Sequence, residues 1–263
     1  MKRLSLLFFC ILGAALTAIP VAAQSLNNEV LLNGISMLDT PYVAGVLDRE
    51  DTEELVLNTD ELDCTTFVEY VIAMTLTPTG ENNYKDERVV ADIVRKLRYR
   101  DGQINGYTSR LHYMTEWAQN AVNAGLLEDV TAAHSQYTTK VQTGYMTSHP
   151  NLYRHLANNQ QNVQEMRSIE QRLNGIDVHY IPQNYLPSDG FDWIQDGDII
   201  MFTSNTPGLD IAHMGIAFHV SGKLALLHAS SKEKKVMVSK YTINKLLEDN
   251  PRWTGIRVLR VKK

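Results

Sequence analysis

Apolar residues recur at helical spacing through the first two thirds of the chain and alternate in the last third, with one switch near Ile176. Between Asp63 and Leu76, the residues Phe67, Val68, Val71, Ile72 and Met74 mark one face of a helix that Asp63 is placed to cap. Val89, Val90, Ile93, Val94 and Leu97 make a second stripe, and Tyr113, Trp117, Ala118, Ala121 and Val122 a third. Met166, Ile169 and Leu173 make another that stops at Asn174-Gly175. After the switch, Ile176, Val178 and Tyr180 alternate, and the run from Asp198 to Phe202 reads as a buried strand. His213 to Val220, Leu224 to His228, Val236 to Ser239 and Arg257 to Val261 read as further strands. Helices first and an antiparallel sheet second predict an α+β fold.

Residues 1–23 read as a cleaved secretory signal: Lys2 and Arg3 precede an apolar stretch from Leu4 to Ile19, and Val21-Ala22-Ala23 is a small-residue cleavage site. Cys10 leaves with it. Every later apolar run is too short to span a bilayer, so no stable membrane insertion is expected after cleavage. Neither a repeat nor a Gly/Ser/Pro-rich linker interrupts residues 24–263, which predicts one domain. The signal carries two bases and no acid, so its loss takes the net charge from −5 to −7. That balance argues against a nucleic-acid partner, since phosphate binding needs clustered cations. A short cluster is the turn from Lys232 to Lys235.

The mature chain keeps one cysteine, Cys64, which is either a buried inert thiol or a working one. At a helix start, the positive end of the dipole and a nearby imidazole would lower its pKa. Of eight histidines, His213 opens one strand and His228 closes the next, with Ser221-Gly222 as a two-residue turn between them. Counting back from Val220 opposite Lys223 puts Gly215 opposite His228. His213 and His228 then share a face as diagonal neighbours about 7 Å apart or less at Cβ, and Gly215 leaves room for His228 to lean across. His219 lies roughly 20 Å along the strand from His213, too far to join them. The remaining histidines show neither HExxH nor CxxC spacing, so no metal and no cofactor is expected.

Five segments in order resemble the NlpC/p60 cell-wall cysteine hydrolases: Pro41-Tyr42-Val43-Ala44-Gly45, Leu62-Asp63-Cys64-Thr65-Thr66-Phe67-Val68-Glu69, Asp196-Gly197-Asp198-Ile199-Ile200, His213-Met214-Gly215-Ile216-Ala217 and Leu227-His228-Ala229-Ser230. The Asp-Cys-Thr-Thr-Phe-Val-Glu form, the Gly208-Leu209-Asp210 segment and the long helical stretch before His213 look like the N-acetylmuramoyl-L-alanine amidase-like branch. The resemblance runs from about Leu31 to the C-terminus. It implies a papain-like fold in which helices carrying the cysteine pack on an antiparallel sheet carrying the histidines. It also implies hydrolysis of the amide between N-acetylmuramic acid and the L-Ala of the stem peptide, on peptidoglycan or released muropeptides. Cys64 would be the nucleophile, His213 the general base and His228 the residue orienting it. Tyr42 would lie beside the nucleophile and help hold the oxyanion; the alternative is a packed aromatic. With export, the implied compartment is the periplasm, the cell exterior being the alternative.

The sequence departs from ordinary NlpC/p60 proteins in carrying Thr65-Thr66 where Ser-Gly is usual, and in an insertion over about residues 80–190 that would shape a different pocket. Within it, Arg110, Tyr113 and Trp117, with His112, mix a cation and aromatics as a sugar or carboxylate site does, and as an amphipathic helix start does too. Asp210 is a further substrate-contact candidate, or a loop former. An endopeptidase cutting between D-Glu and the diamino acid would use the same three residues, and a cell-wall binding protein or acyltransferase remains as a rival.

Overall fold

The computed structural model describes residues 26–81 and 84–262; the signal expected at residues 1–23 lies outside them. The chain begins with α1 (Leu26–Ser36), α2 (Cys64–Leu76), α3 (Glu87–Arg98) and α4 (Met114–Asn123). Shorter elements follow: β1 (Leu127–Asp129), α5 (Thr131–His134), β2 (Thr138–Lys140), α6 (Tyr145–Ser148) and α7 (Arg154–Ala157). Then come α8 (Gln160–Leu173), β3 (Asp177–His179) and β4 (Ile181–Pro182). The last third holds β5 (Ile199–Ser204), β6 (Ile211–Val220), β7 (Lys223–Ser230), β8 (Lys235–Thr242), α9 (Ile243–Asp249) and β9 (Trp253–Val261). This is an α+β arrangement around a seven-stranded sheet ordered β1-β9-β5-β6-β7-β8, with β4 also on β9 and every described pairing antiparallel.

Period-two alternation splits the strands between two cores. Ile199, Met201, Met214, Ile216, Leu227, Ala229 and Leu259 face Phe67, Val68, Val71 and Ile72 of α2, with Val94 and Leu97 of α3 and Trp117 of α4 behind. Ile200, Phe202, Ala217, Leu226, Ile256 and Val258 face Ile243 and Leu247 of α9. α2 is buried on nearly all sides from Thr66 to Ala73, which is why its sequence is apolar all round rather than in a stripe. Asp63 fixes its start: the carboxylate accepts the Thr65 and Thr66 N–H groups, and the Thr66 hydroxyl accepts from the Asp63 N–H. A cap of this kind stabilises a helix by about 1 kcal/mol and holds residue 64 at its first position.

The segment between α2 and the sheet is less uniformly helical than its periodicity predicts. β2 and β3 form a separate two-stranded sheet, and β1 and β4 extend the main sheet along β9. Two- and three-residue strands are too short to show alternation. A third apolar cluster joins Tyr107, Tyr113, Met146 and Leu156 to Val163, Met166, Ile169 and Leu173 of α8. At the opposite end, the buried Asp198 carboxylate accepts from Arg260 of β9 at 2.7 Å and from the Asn27 amide at 3.1 Å, tying α1 to the sheet. Gly197 has φ 91°, and a Cβ there would lie 2.2 Å from the Asn27 carbonyl oxygen. Only glycine satisfies both conditions.

Candidate active site

Cys64 opens α2, and the Met214 backbone on β6, the Thr65 side chain and its own N–H each favour its thiolate by hydrogen bonding. The β6–β7 ladder runs from Val220 opposite Lys223 to Ile216 opposite Leu227, so Met214 lies beyond its last pair and its N–H is available to the sulfur. The sulfur is thereby held within one residue of His213. Pro41 to Val43 flank it: Val43 donates to the Leu62 carbonyl and Leu62 to that of Pro41, both at 3.0 Å. The Tyr42 hydroxyl feels Cys64 and Asp63, and with burial they push its pKa up to about 12.

Burial pushes Cys64 up to about 12, and the Asp63 carboxylate adds to the rise; the hydrogen bonds only partly offset them. The direction is contrary to the sequence expectation, because the charged form loses hydration that the Met214, Thr65 and Cys64 donors do not replace.

Ser221 and Gly222 both have positive φ, 51° and 74°, as a two-residue I′ turn requires. The register follows the count from that turn, and Gly215 stands opposite His228. His213 Nε2 and His228 Nδ1 are 2.7 Å apart, with the rings nearly perpendicular. His213 stacks on Trp253 at 5.7 Å and on Phe202 at 6.1 Å. His213, Gly215 and His228 thus occupy the sheet face opposite Met214 and Leu227, so the imidazoles belong to the α9 side, whereas Cys64 packs with the α2-side core. Burial holds both rings neutral: His213 is lowered to about 3, with His228 adding to the shift, and His228 to about 4.

Beside the first turn of α2 lies a cavity of about 230 Å³ walled by Asp63, Thr65, Asp48, Arg110, Tyr113 and Tyr145, among others. Arg110 is committed within that wall: it pairs with Asp48, lies 3.3 Å from Glu53 and stacks over the Tyr107 ring. The Tyr113 hydroxyl donates to Glu170 at 2.7 Å and accepts from the Gly144 and Met146 N–H groups. Trp117, expected as a contact, is a core residue with no exposed surface, its indole N–H given to Glu69. Asp210 is likewise structural: its carboxylate accepts from the Thr115 N–H in the first turn of α4 and from Ile211. Both sit where apolar packing or a helix start needs them, outside the wall of this cavity.

Sequence reasoning missed Glu69 and Arg98, which form a buried ion pair at 2.8 Å beneath the cavity. A carboxylate amid eight apolar or small helix neighbours was the available signal, since a buried charge requires a partner. Asp48, Tyr145, Tyr153 and the stacking Trp253 carried no comparable signal.

Residues 33–256 match the family described as AmiA-like, N-acetylmuramoyl-L-alanine amidase-like. A crystal structure of an N-acetylmuramoyl-L-alanine amidase from Bacteroides uniformis is 56% identical over 89% of this chain and 99% of that one, with a TM-score of 0.88. A structure called a putative xylanase, from Bacteroides fragilis, is 53% identical over 88% of this chain and 100% of that one, with a TM-score of 0.85. A Legionella pneumophila protein shares the fold at 19% identity and a TM-score of 0.68, over 91% of this chain and 90% of that one. No curated protein matches the chain. The family match over most of its length, with the sheet and helices that carry Cys64 and the histidine pair, shows that the chain belongs to the N-acetylmuramoyl-L-alanine amidase-like family.

Proposed function

We propose that this chain is a cysteine-dependent N-acetylmuramoyl-L-alanine amidase of the papain-like NlpC/p60 type, acting in the periplasm on muropeptides released during cell-wall turnover. The observation that carries the reading is a sulfur seated on the Met214 N–H one residue from an imidazole that is itself bonded at 2.7 Å to a second imidazole. If His213 Nε2–H donates to His228 Nδ1, His213 Nδ1 is left as an unprotonated base. Burial keeps the thiol protonated at rest, so its proton passes to His213 as sulfur attacks the lactyl amide carbonyl. An S–C bond forms, and the developing oxyanion meets the Cys64 N–H and the Tyr42 hydroxyl. The Cys64 N–H would turn from its own sulfur to the oxyanion, since the Asp63 carboxylate holds the N–H groups of Thr65 and Thr66, and the Asp63 carbonyl that of Phe67.

The C–N bond then breaks as His213 returns the proton to the departing L-Ala nitrogen. Water, deprotonated by His213, cleaves the thioester to the muramic carboxylic acid and the free thiol. A glycosidase instead needs two carboxyl groups facing each other across the scissile bond. The cavity's carboxylates are otherwise engaged: Asp48 with Arg110, Glu69 with Arg98, and Asp63 with the α2 amides. The aromatic lining of the cavity, with Tyr107, Tyr145 and Tyr153, suits a small sugar-bearing fragment.

The test is mass spectrometry of anhydro-muropeptides and of sacculi after incubation with the protein and with Cys64→Ala. Free stem peptide beginning with L-Ala, lost by about a thousandfold or more in the variant, is the expected result. Sugar still carrying L-Ala-D-Glu would instead make the chain an endopeptidase, and no product in any sample would make it a binding protein.

A further inference from the structure

A short basic turn of this acidic chain is bonded to the strip that carries Tyr42. Residues 231–234 form the turn between β7 and β8, and its backbone is locked to the strip beside the nucleophile. The Lys234 carbonyl accepts from the Tyr42 N–H at 2.9 Å, Pro41 bridges to Lys235, and Tyr42 bridges to Leu62, two residues before Cys64. Lys234 adopts a positive φ of 61°, unusual for a side-chain-bearing residue, and its ammonium lies 5.8 Å from the centre of the Tyr42 ring. Lys235 is neutralised by Asp39 at 2.6 Å. Among the described residues, Lys232 and Lys234 are exposed and no carboxylate lies within salt-bridge distance of either.

We propose that this turn is the subsite for the leaving half of the substrate, with Lys234, supported by Lys232, binding the free α-carboxylate of the D-Glu that follows L-Ala. The inference rests on the amidase reading, and charge decides which half of the substrate it concerns. Muramic acid has spent its carboxyl group in the scissile amide, so the sugar offers no anion, whereas γ-linked D-Glu keeps its α-carboxylate. Shape agrees. The walled cavity beside α2 suits a compact ring, and the exposed turn suits a peptide that continues into solvent. Placement agrees too: one Cα–Cα step beyond L-Ala puts that carboxylate on the order of 8 Å from the scissile carbon, and the ring that the Lys234 ammonium faces is that of Tyr42, whose hydroxyl feels the Cys64 thiol.

The test uses muramyl-L-Ala-D-Glu and muramyl-L-Ala-D-isoglutamine, which differ only in carboxylate against carboxamide. Calorimetric binding to the full-length Cys64→Ala protein reads the subsite without turnover. The carboxylate ligand should bind about fivefold more tightly, the upper range for an exposed ion pair, and the advantage should shrink as salt is raised. Adding Lys234→Met, which keeps the aliphatic stem, should bring the ratio to about one while leaving the carboxamide ligand's affinity unchanged. An equal loss for both ligands, a preference that survives Lys234→Met, or no binding of either would overturn the proposal. Product masses from the Cys64 protein report on the amidase reading separately: cleavage at another bond would sink that reading and the leaving-half assignment with it, whereas loss of the Lys234-dependent preference with amidase products intact would sink the subsite alone.

Discussion

Gly215→Ala probes the link between sheet register and the histidine pair. A Cβ at this position would lie 2.8 Å from the Leu227 carbonyl oxygen, 2.9 Å from His228 Cβ and 2.9 Å from Leu226 Cγ. Carbon contacts are comfortable at about 3.5–4.0 Å, so the neighbours must retreat by roughly 0.5–1 Å. Two of the three are a backbone atom and a Cβ, which no rotamer change can move. Overpacking of this kind costs about 1–3 kcal/mol, and the rigid neighbours put the expected loss at about 2–3 kcal/mol, a fall in Tm of about 5–10 °C for a domain of this size. The same displacement pushes His228 away from His213 and stretches a 2.7 Å bond towards the limit of hydrogen bonding. Misplacement by about 1 Å can cost on the order of a hundredfold, and the loss should fall on kcat, since the pair touches no binding wall. Leu247→Ala, in the α9 core, supplies a control of similar destabilisation, about 2–5 kcal/mol, with kcat retained. Steady-state kinetics and thermal melts on both variants decide the matter. A Gly215→Ala protein that melts early but keeps wild-type kcat would refute the claim that His228 acts through His213.

Glu69→Ala should destabilise by about 3–5 kcal/mol in chemical denaturation, because it strands a buried Arg98 guanidinium, whereas Glu69→Leu combined with Arg98→Met should recover much of that loss; a single-variant cost under about 1 kcal/mol would contradict this. His112 is held neutral by burial and by Arg110, its pKa lowered to about 3. The unfolded chain therefore binds the extra proton first, and stability is lost as pH falls from about 6.5 towards 3. His112→Gln should flatten that loss by about 2 kcal/mol between pH 6 and 4, measured by urea midpoints, and an unchanged slope would count against a buried neutral ring. With its thiol pushed up to about 12, Cys64 should react with iodoacetamide at pH 7.5 more slowly than a free cysteine; rapid alkylation would show a resting thiolate.

The sheet was legible because its side chains repeat with the period of the strand, α2 because Asp63 caps a long unbroken apolar run, and the hairpin register because Ser221-Gly222 admits one turn type. α1 was not, since LNNEVLLNGIS has little one-sidedness and docks through Asn27 and Gly34 rather than an apolar stripe. Cys64, His213 and His228 came from sparseness: one thiol, and two imidazoles a turn apart. The roles of Arg110 and Trp117 were not readable, because an arginine or an indole looks the same in sequence whether its partner is a ligand, Asp48 or Glu69. Nor was the direction of the thiol shift, which depends on how much water the fold removes.

The last strand sits inside the sheet rather than at its edge. β9 pairs with β5, β1 and β4, and Arg260 closes the cluster that holds α1. The strand that carries half of the main sheet's described pairings thus also supplies the ring that packs on His213. Loosening β9 would therefore strip the histidine of its stacking partner at the same time as it opened the sheet, so the integrity of the scaffold and the placement of the base rest on one segment.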